Sequence, residues 1–220
     1  MDVETLEIIH NQPTKVVVAA TYESSTVYIQ HSITADLSWV PQAGTYTFSG
    51  NVTFRGNTYN TGVHTIDNSV NNPNFIFNGN VTLTDGTSTL NWTKGTGTIT
   101  FAKESGTQTA NFLNKAVEDI VVGDGTTTTN TLQLVTNGVT TDQLTVNSNA
   151  TFDLNGNNLS YPSSVGTYNN GTIRLKGNET LTNVADLGAN SGDVIYYGTG
   201  VSGALTLHNI AFHNLIVDDA

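Results

Sequence analysis

The residues able to do chemistry are few and scattered. Five histidines stand at His10, His31, His64, His208 and His213. Only His208 and His213 are near neighbours, and a zinc site needs three or more ligands in fixed geometry, so no metal site is expected. Acidic neighbours occur at Glu118-Asp119 and Asp218-Asp219. Adjacent residues of a strand point to opposite faces, which denies both pairs the geometry of an acid/base dyad for glycoside cleavage. Arg55 and Arg174 are the only arginines, and neither lies beside an acidic cluster in sequence. Polysaccharide lyase chemistry therefore lacks its basic proton acceptor. Cysteine is absent, which removes disulfides, thiolate metal centres and thiol catalysis. Gly-x-Ser-x-Gly, P-loop and dinucleotide fingerprints are also missing. The expectation is a chain that is not an enzyme and needs no cofactor. Calcium is the one ion the sequence raises, at Asp124 beside Gly125 and at Asp218 and Asp219, but the nonapeptide repeat that builds calcium into a fold is absent.

Binding chemistry remains. Aromatic rings can stack on sugar rings while Asn and Asp bond the hydroxyls. Tyr197, Trp92 and Tyr168 are the candidate glycan-stacking residues. Tyr196 matches Phe101 in the repeat described below and reads as core; its neighbour Tyr197 matches Ala102 and reads as exposed. Thr-x-Thr pairs occur at Thr45/Thr47, Thr87/Thr89, Thr98/Thr100 and Thr107/Thr109. Their spacing is irregular, so they read as strand formers and not as an ice-binding array.

Charge narrows the partners. The chain has 220 residues, 7 Lys and Arg against 18 Asp and Glu, and a formal charge of −11. That balance opposes nucleic acid and anionic membrane surfaces. No run approaches the roughly 18 apolar residues of a membrane span. Thr, Asn and Gly supply 85 residues, so the chain stays polar through hydroxyls and amides and hardly at all through ions.

The elements that would hold these residues read as β. Val52-Thr-Phe54, Phe75-Ile-Phe77, Val81-Thr-Leu83, Ile99-Thr-Phe101, Leu144-Thr-Val146 and Ile173-Arg-Leu175 each set two apolar side chains around a third residue, the period of a strand with one buried face. Asn78-Gly79, Asp85-Gly86, Asp124-Gly125, Asn137-Gly138, Asn155-Gly156 and Asn170-Gly171 separate the runs. These pairs are expected to supply positive φ at tight corners.

An internal repeat adds a second constraint. Residues 97–124 and 192–219 align over 28 positions without a gap at an offset of 95. Ile99 matches Val194, Phe112 matches Leu207, and Val121 matches Ile216, so the two segments are expected to superpose. Gly50-Asn-Val-Thr-Phe54 recurs as Gly79-Asn-Val-Thr-Leu83 at an offset of 29. That period suits one coil of a solenoid and is too short for a sandwich domain. Tandem antiparallel β-sandwiches are the alternative architecture. Stacked coils would also align Asn and Thr into side-chain ladders.

Asn149-Ala-Thr-Phe-Asp-Leu-Asn-Gly-Asn-Asn-Leu159, Gly171-Thr-Ile-Arg-Leu175 and Phe212-His-Asn-Leu-Ile-Val217 resemble the degenerate repeats of bacterial surface β-helix proteins, the filamentous-haemagglutinin-like and autotransporter-like adhesins. The resemblance covers residues 45–220, is one of composition and rhythm, and carries over no functional residue. It implies a right-handed parallel β-helix at the cell surface. Residues 1–44 lack the Gly/Asn punctuation and read as an N-terminal β cap or the end of a preceding domain. The second copy of the repeat stops at Asp219-Ala220 where the first runs on, so the sequence reads as part of a longer array. Leu215, Ile216 and Val217 are then the expected self-association residues, meeting a neighbouring segment or another copy end to end. The expectation is a structural and adhesive segment of an extracellular surface protein or filament; a carbohydrate-binding β-helix is the alternative.

Overall fold

The computed structural model describes residues 7–10, 21–22, 25–31, 37–56, 62–189, 191–198 and 207–218. Among these residues there is no helix, and 24 strands fall into four sheets. Sheet A holds β1 (Glu7–His10), β3 (Ser25–His31), β6 (Val52–Arg55), β9 (Val81–Thr84), β12 (Ser105–Asn111), β15 (Thr129–Leu134), β18 (Thr151–Asp153), β21 (Thr172–Leu175), β23 (Asp193–Tyr196) and β24 (Asn214–Val217), in that spatial order. Sheet B holds β2 (Thr21–Tyr22), β5 (Thr45–Phe48), β8 (Asn74–Phe77), β11 (Thr98–Phe101), β14 (Asp119–Val122), β17 (Leu144–Val146) and β20 (Tyr168–Asn169). Sheet C holds β4 (Leu37–Trp39), β7 (His64–Asp67) and β10 (Leu90–Thr93). Sheet D holds β13 (Ala116–Val117), β16 (Val139–Thr141), β19 (Leu159–Gly166) and β22 (Leu181–Asp186).

From β3 to β22 the chain visits sheet A, then C or D, then B, and returns to A one strand further on. Every pairing is parallel. The molecule is a parallel β-solenoid, an arrangement that tandem antiparallel sandwiches cannot give. The described strands of 1–44 join it: β1 and β3 extend sheet A, β2 extends sheet B and β4 extends sheet C.

Alternation builds the core. In β5, Tyr46 and Phe48 are buried between Thr45 and Thr47; in β11, Ile99 and Phe101 are buried between Thr98 and Thr100. The 29-residue echo is one coil, because Val52 pairs with Val81 and Thr53 with Thr82. Coil length then falls. Registered partners in sheet A lie 29 residues apart at Val81↔Ala110, 24 at Ala110↔Leu134 and 21 at Thr172↔Asp193.

The longer repeat is also coil-like, but its copies lie on different faces. Ile99 sits in sheet B and Val194 in sheet A. Each copy pairs its own first and last strands, Ile99 with Ile120 and Val194 with Leu215. Superposition fails at the other positions. Phe112 is buried and Leu207 exposed; Val121 is half-buried and Ile216 exposed. Coils of unequal length do not return a fixed 95-residue step to the same face.

The corner glycines work differently from the expectation. Of the six Asn-Gly and Asp-Gly pairs, only Gly125, Asn155 and Gly156 have positive φ. At Gly79 the constraint is proximity, since a β-carbon there would lie 2.3 Å from the Gly50 carbonyl oxygen of the preceding coil. Asparagines join the coils. The Asn80 N–H donates to Asn51 Oδ1 at 2.8 Å, and the Thr109 N–H to Asn80 Oδ1 at 2.9 Å. Inside, Gln108 Nε2 donates to the Phe77 carbonyl at 2.8 Å and Asn130 Nδ2 to the Phe101 carbonyl at 3.0 Å. Such bonds satisfy amides that would be costly to bury alone.

Candidate functional site

Acidic residues come first, because they could have been catalytic. Glu118 and Asp119 point to opposite sides of the wall. Glu118 is fully buried. Its Oε1 accepts from Asn68 Nδ2 at 2.8 Å and the Gly95 N–H at 2.9 Å, and its Oε2 from Trp92 Nε1 at 2.8 Å. The Glu118 carbonyl accepts from the Thr141 hydroxyl at 2.6 Å. Glu118 therefore ties four coils, three through its carboxylate and the fourth through its carbonyl, where sheet C ends and sheet D begins. Asp119 lies outside, near the Lys94–Asp142 ion pair. Burial, then the Asp142 carboxylate, raises its carboxyl above the ordinary value, against the pull of Lys94.

Two further acids are also engaged. Asp124 accepts from the main-chain N–H groups of Thr126, Thr127 and Thr128 and from the hydroxyls of Thr127 and Thr128. These bonds hold its carboxyl far below the usual carboxylate range. Glu179 accepts from the N–H groups of Gly156, Lys176 and Gly177. Asp219, the other calcium candidate with Asp218, lies outside the described residues. Among the described residues no group of three His, Asp or Glu side chains converges as a metal site would.

Of the three aromatic candidates, two are corrected. Trp92 is 8 % exposed, its indole N–H spent on Glu118 and its ring packed 5.6 Å from Phe54, edge to face. Tyr197 is 9 % exposed. The Arg174 guanidinium lies 4.4 Å above its ring, and its hydroxyl donates to Asp153 Oδ1 at 3.0 Å. Neither ring presents a free face to a ligand. Alternation with Leu90 could have shown Trp92 to be core; nothing local marks Arg174 as the cover of Tyr197.

Tyr168 is the third, 66 % exposed. Its neighbours are anchored on both sides. Buried Thr167 shares a 2.8 Å hydrogen bond with the buried Tyr161 hydroxyl, and Asn169 Nδ2 donates to the Asp193 carbonyl at 3.1 Å. With both flanking side chains turned inward, strand alternation sends Tyr168 out. It borders a groove of about 370 Å³, whose other polar walls are Gln143, Asn170, Asp186 and Ser191. Gln143 Nε2 donates to the Gly166 carbonyl at 2.7 Å. Ser191 Oγ donates to the Asn169 carbonyl at 2.7 Å. Asp186 Oδ1 accepts the Gly188 N–H at 2.9 Å. The register between β19 and β22 shifts around Val165, and such irregularities re-aim side chains at a rim. A β-carbon at Gly166 would lie 2.4 Å from Asp186 Oδ2, so a larger residue there would push the Asp186 carboxylate aside. The sequence did not point to Gln143, Asp186 or Ser191, which converge only through stacking. An exposed ring beside carboxamide, carboxylate and hydroxyl groups can stack on a sugar and bond its hydroxyls.

At the far end, β24 is paired among the described residues with β23 alone, and Leu215, Ile216 and Val217 are all exposed. Leu215 and Val217 pair with Val194 and Tyr196, which are buried in the coil before. No family model matches this chain, and no curated protein or solved structure matches it either.

Proposed function

We propose that the chain is a non-catalytic structural and adhesive segment of an extracellular surface protein or filament, akin to the bacterial adhesins whose repeats it resembles. The observation that carries this reading is how its acids are used. Glu118, Asp124 and Glu179 are each satisfied by donors that hold coils or corners together. A solenoid braced in this way suits a load-bearing rod. Its axial partner on this reading is a further β-coil adding to β24 in the register of Leu215 and Val217.

The Tyr168 groove favours the second reading, carbohydrate binding, as the adhesive part of the same function. The test is a glycan array probed with the protein and with Tyr168→Ala, alongside incubation of each bound glycan to look for cleavage. Binding that Tyr168→Ala abolishes, without cleavage, supports both parts. Released product would overturn the non-catalytic reading. No binding by the unaltered protein would leave only the structural part.

A further inference from the structure

We infer that the outer face of sheet B is an extended track for a flat, unbranched, neutral β-linked glycan laid along the solenoid axis, with the Tyr168 groove at one end. The inference rests on the carbohydrate reading of that groove and extends it.

One outward residue per strand forms a row. Thr47 pairs with Ile76, Ile76 with Thr100, Thr100 with Val121, Val121 with Thr145, and Thr145 with Tyr168. Neighbouring strands lie about 4.8 Å apart, so the row advances by that step and spans about 24 Å. From Thr47 to Thr145 every member is β-branched, and each is partly exposed. The row is therefore a line of methyl groups ending in an aromatic ring.

A second, polar row runs beside it. Thr45 pairs with Asn74 and Thr98 with Asp119. The Thr98 N–H donates to Asn74 Oδ1 at 2.9 Å, which links the two pairs. Gln143, one residue before β17, continues this row to the groove. A β-linked pyranose chain offers the matching chemistry, with C–H groups on its ring faces and hydroxyls along its edges. Its sugars advance by about one strand spacing each, and equatorial linkages keep it straight.

Charge selects a neutral polymer. Asp119 is the only ionisable side chain in the two rows apart from the Tyr168 phenol, and the chain carries −11 overall, which repels polyanions. Sheet A has a threonine row of its own, Thr107, Thr131, Thr151 and Thr172, but it runs on to Asp193 and not to an exposed ring, and the row beside it, Gln133, Asp153 and Arg174, is charged and taken up by Tyr197. Ile76, Val121, Asn74 and Asp119 interrupt what would otherwise be a paired threonine lattice, so ice is the disfavoured ligand.

Calorimetry with cello-oligosaccharides of two to six units tests the track. Affinity should rise at least tenfold from the disaccharide to the hexasaccharide. Thr100→Lys and Val121→Lys, both at outward positions away from the groove and with unchanged melting temperature, should remove that gain while leaving disaccharide binding intact. Affinity that does not depend on length would overturn the track and leave the groove standing. No binding of these sugars, with binding of other glycans on the array, would also overturn the track alone. No glycan binding anywhere would remove groove and track together, as would thermal hysteresis of freezing in the absence of sugar binding.

Discussion

The wide coils before residue 112 and the narrow coils after it solve one packing problem with different side chains. In the wide part, from β3 to β12, partners in sheet A are 27 to 29 residues apart, and the interior is filled with rings. Phe77 lies 5.4 Å from Phe48, 5.9 Å from Phe75 and 5.7 Å from Phe101, centroid to centroid. In the narrow part the spacing is 20 to 24 residues, and Ile120, Val122, Leu132, Leu134, Leu144 and Val146 do most of the filling, with Phe152, Tyr161 and Tyr196 as separate buried rings. A longer coil encloses a broader section, and close packing then demands larger side chains. Contacting rings thus concentrate in the wide coils and aliphatic side chains in the narrow ones. The two parts meet at Glu118, whose carboxylate accepts from Trp92, Asn68 and Gly95 of the wide coils while its carbonyl accepts from Thr141 of the narrow ones.

The largest test of this contrast is Phe77→Ala. It should destabilise the protein by about 3–5 kcal/mol, because the surrounding rings cannot collapse into the space. Denaturant unfolding measures it, and a loss below about 1 kcal/mol would show that the wide core is loosely packed. Next comes the junction. Glu118→Ala strands the donors of Asn68, Trp92 and Gly95, at about 1–3 kcal/mol for each one left dry. An expected total of about 3 kcal/mol allows for water entering the gap. A near-neutral result would mean that the two parts do not depend on the seam. Leu144→Phe sharpens the contrast from the narrow side. Overpacking there should cost about 1–3 kcal/mol, and a stabilised variant would contradict the fit of section to side chain.

The smallest effect has the opposite sign. The carboxyl of Asp119 is raised by burial and by Asp142, so the folded state binds its proton more tightly than the unfolded chain. Its contribution is fully present below the ordinary value of 3.8 and is lost as pH rises through the raised folded value. At neutral pH the ionised group is therefore a cost. Asp119→Asn should stabilise by a few tenths of a kcal/mol at pH 7, since solvent screens a half-exposed group. The gain should vanish below pH 3.8. A variant less stable than the parent at pH 7 would show that attraction to Lys94 dominates.

What the sequence showed of this molecule was local. Alternation at Tyr46 and Phe48 placed those rings inside, and the 29-residue echo marked a coil whose residues do pair, Val52 with Val81. What it concealed depends on stacking. Tyr197 is covered by Arg174 and bonded to Asp153, 44 residues before it. The 95-residue repeat changes face because the intervening coils differ in length. The Tyr168 groove gathers Gln143, Asp186 and Ser191 from successive coils. Tyr168 itself was legible as a candidate, but its exposure follows from the inward anchoring of Thr167 and Asn169, which only the stacked partners reveal.

The central claim is that successive coils advance by one strand spacing each. It is tested most directly by a distance measurement along sheet B. The chain has no cysteine, so nitroxide labels on Thr47→Cys and Tyr168→Cys are specific. These positions are 121 residues apart in sequence. Five strand steps of about 4.8 Å predict a single narrow distribution of backbone separation near 24 Å. A broad distribution, or one centred well beyond that span, would contradict the stack, and with it both the rod and the track.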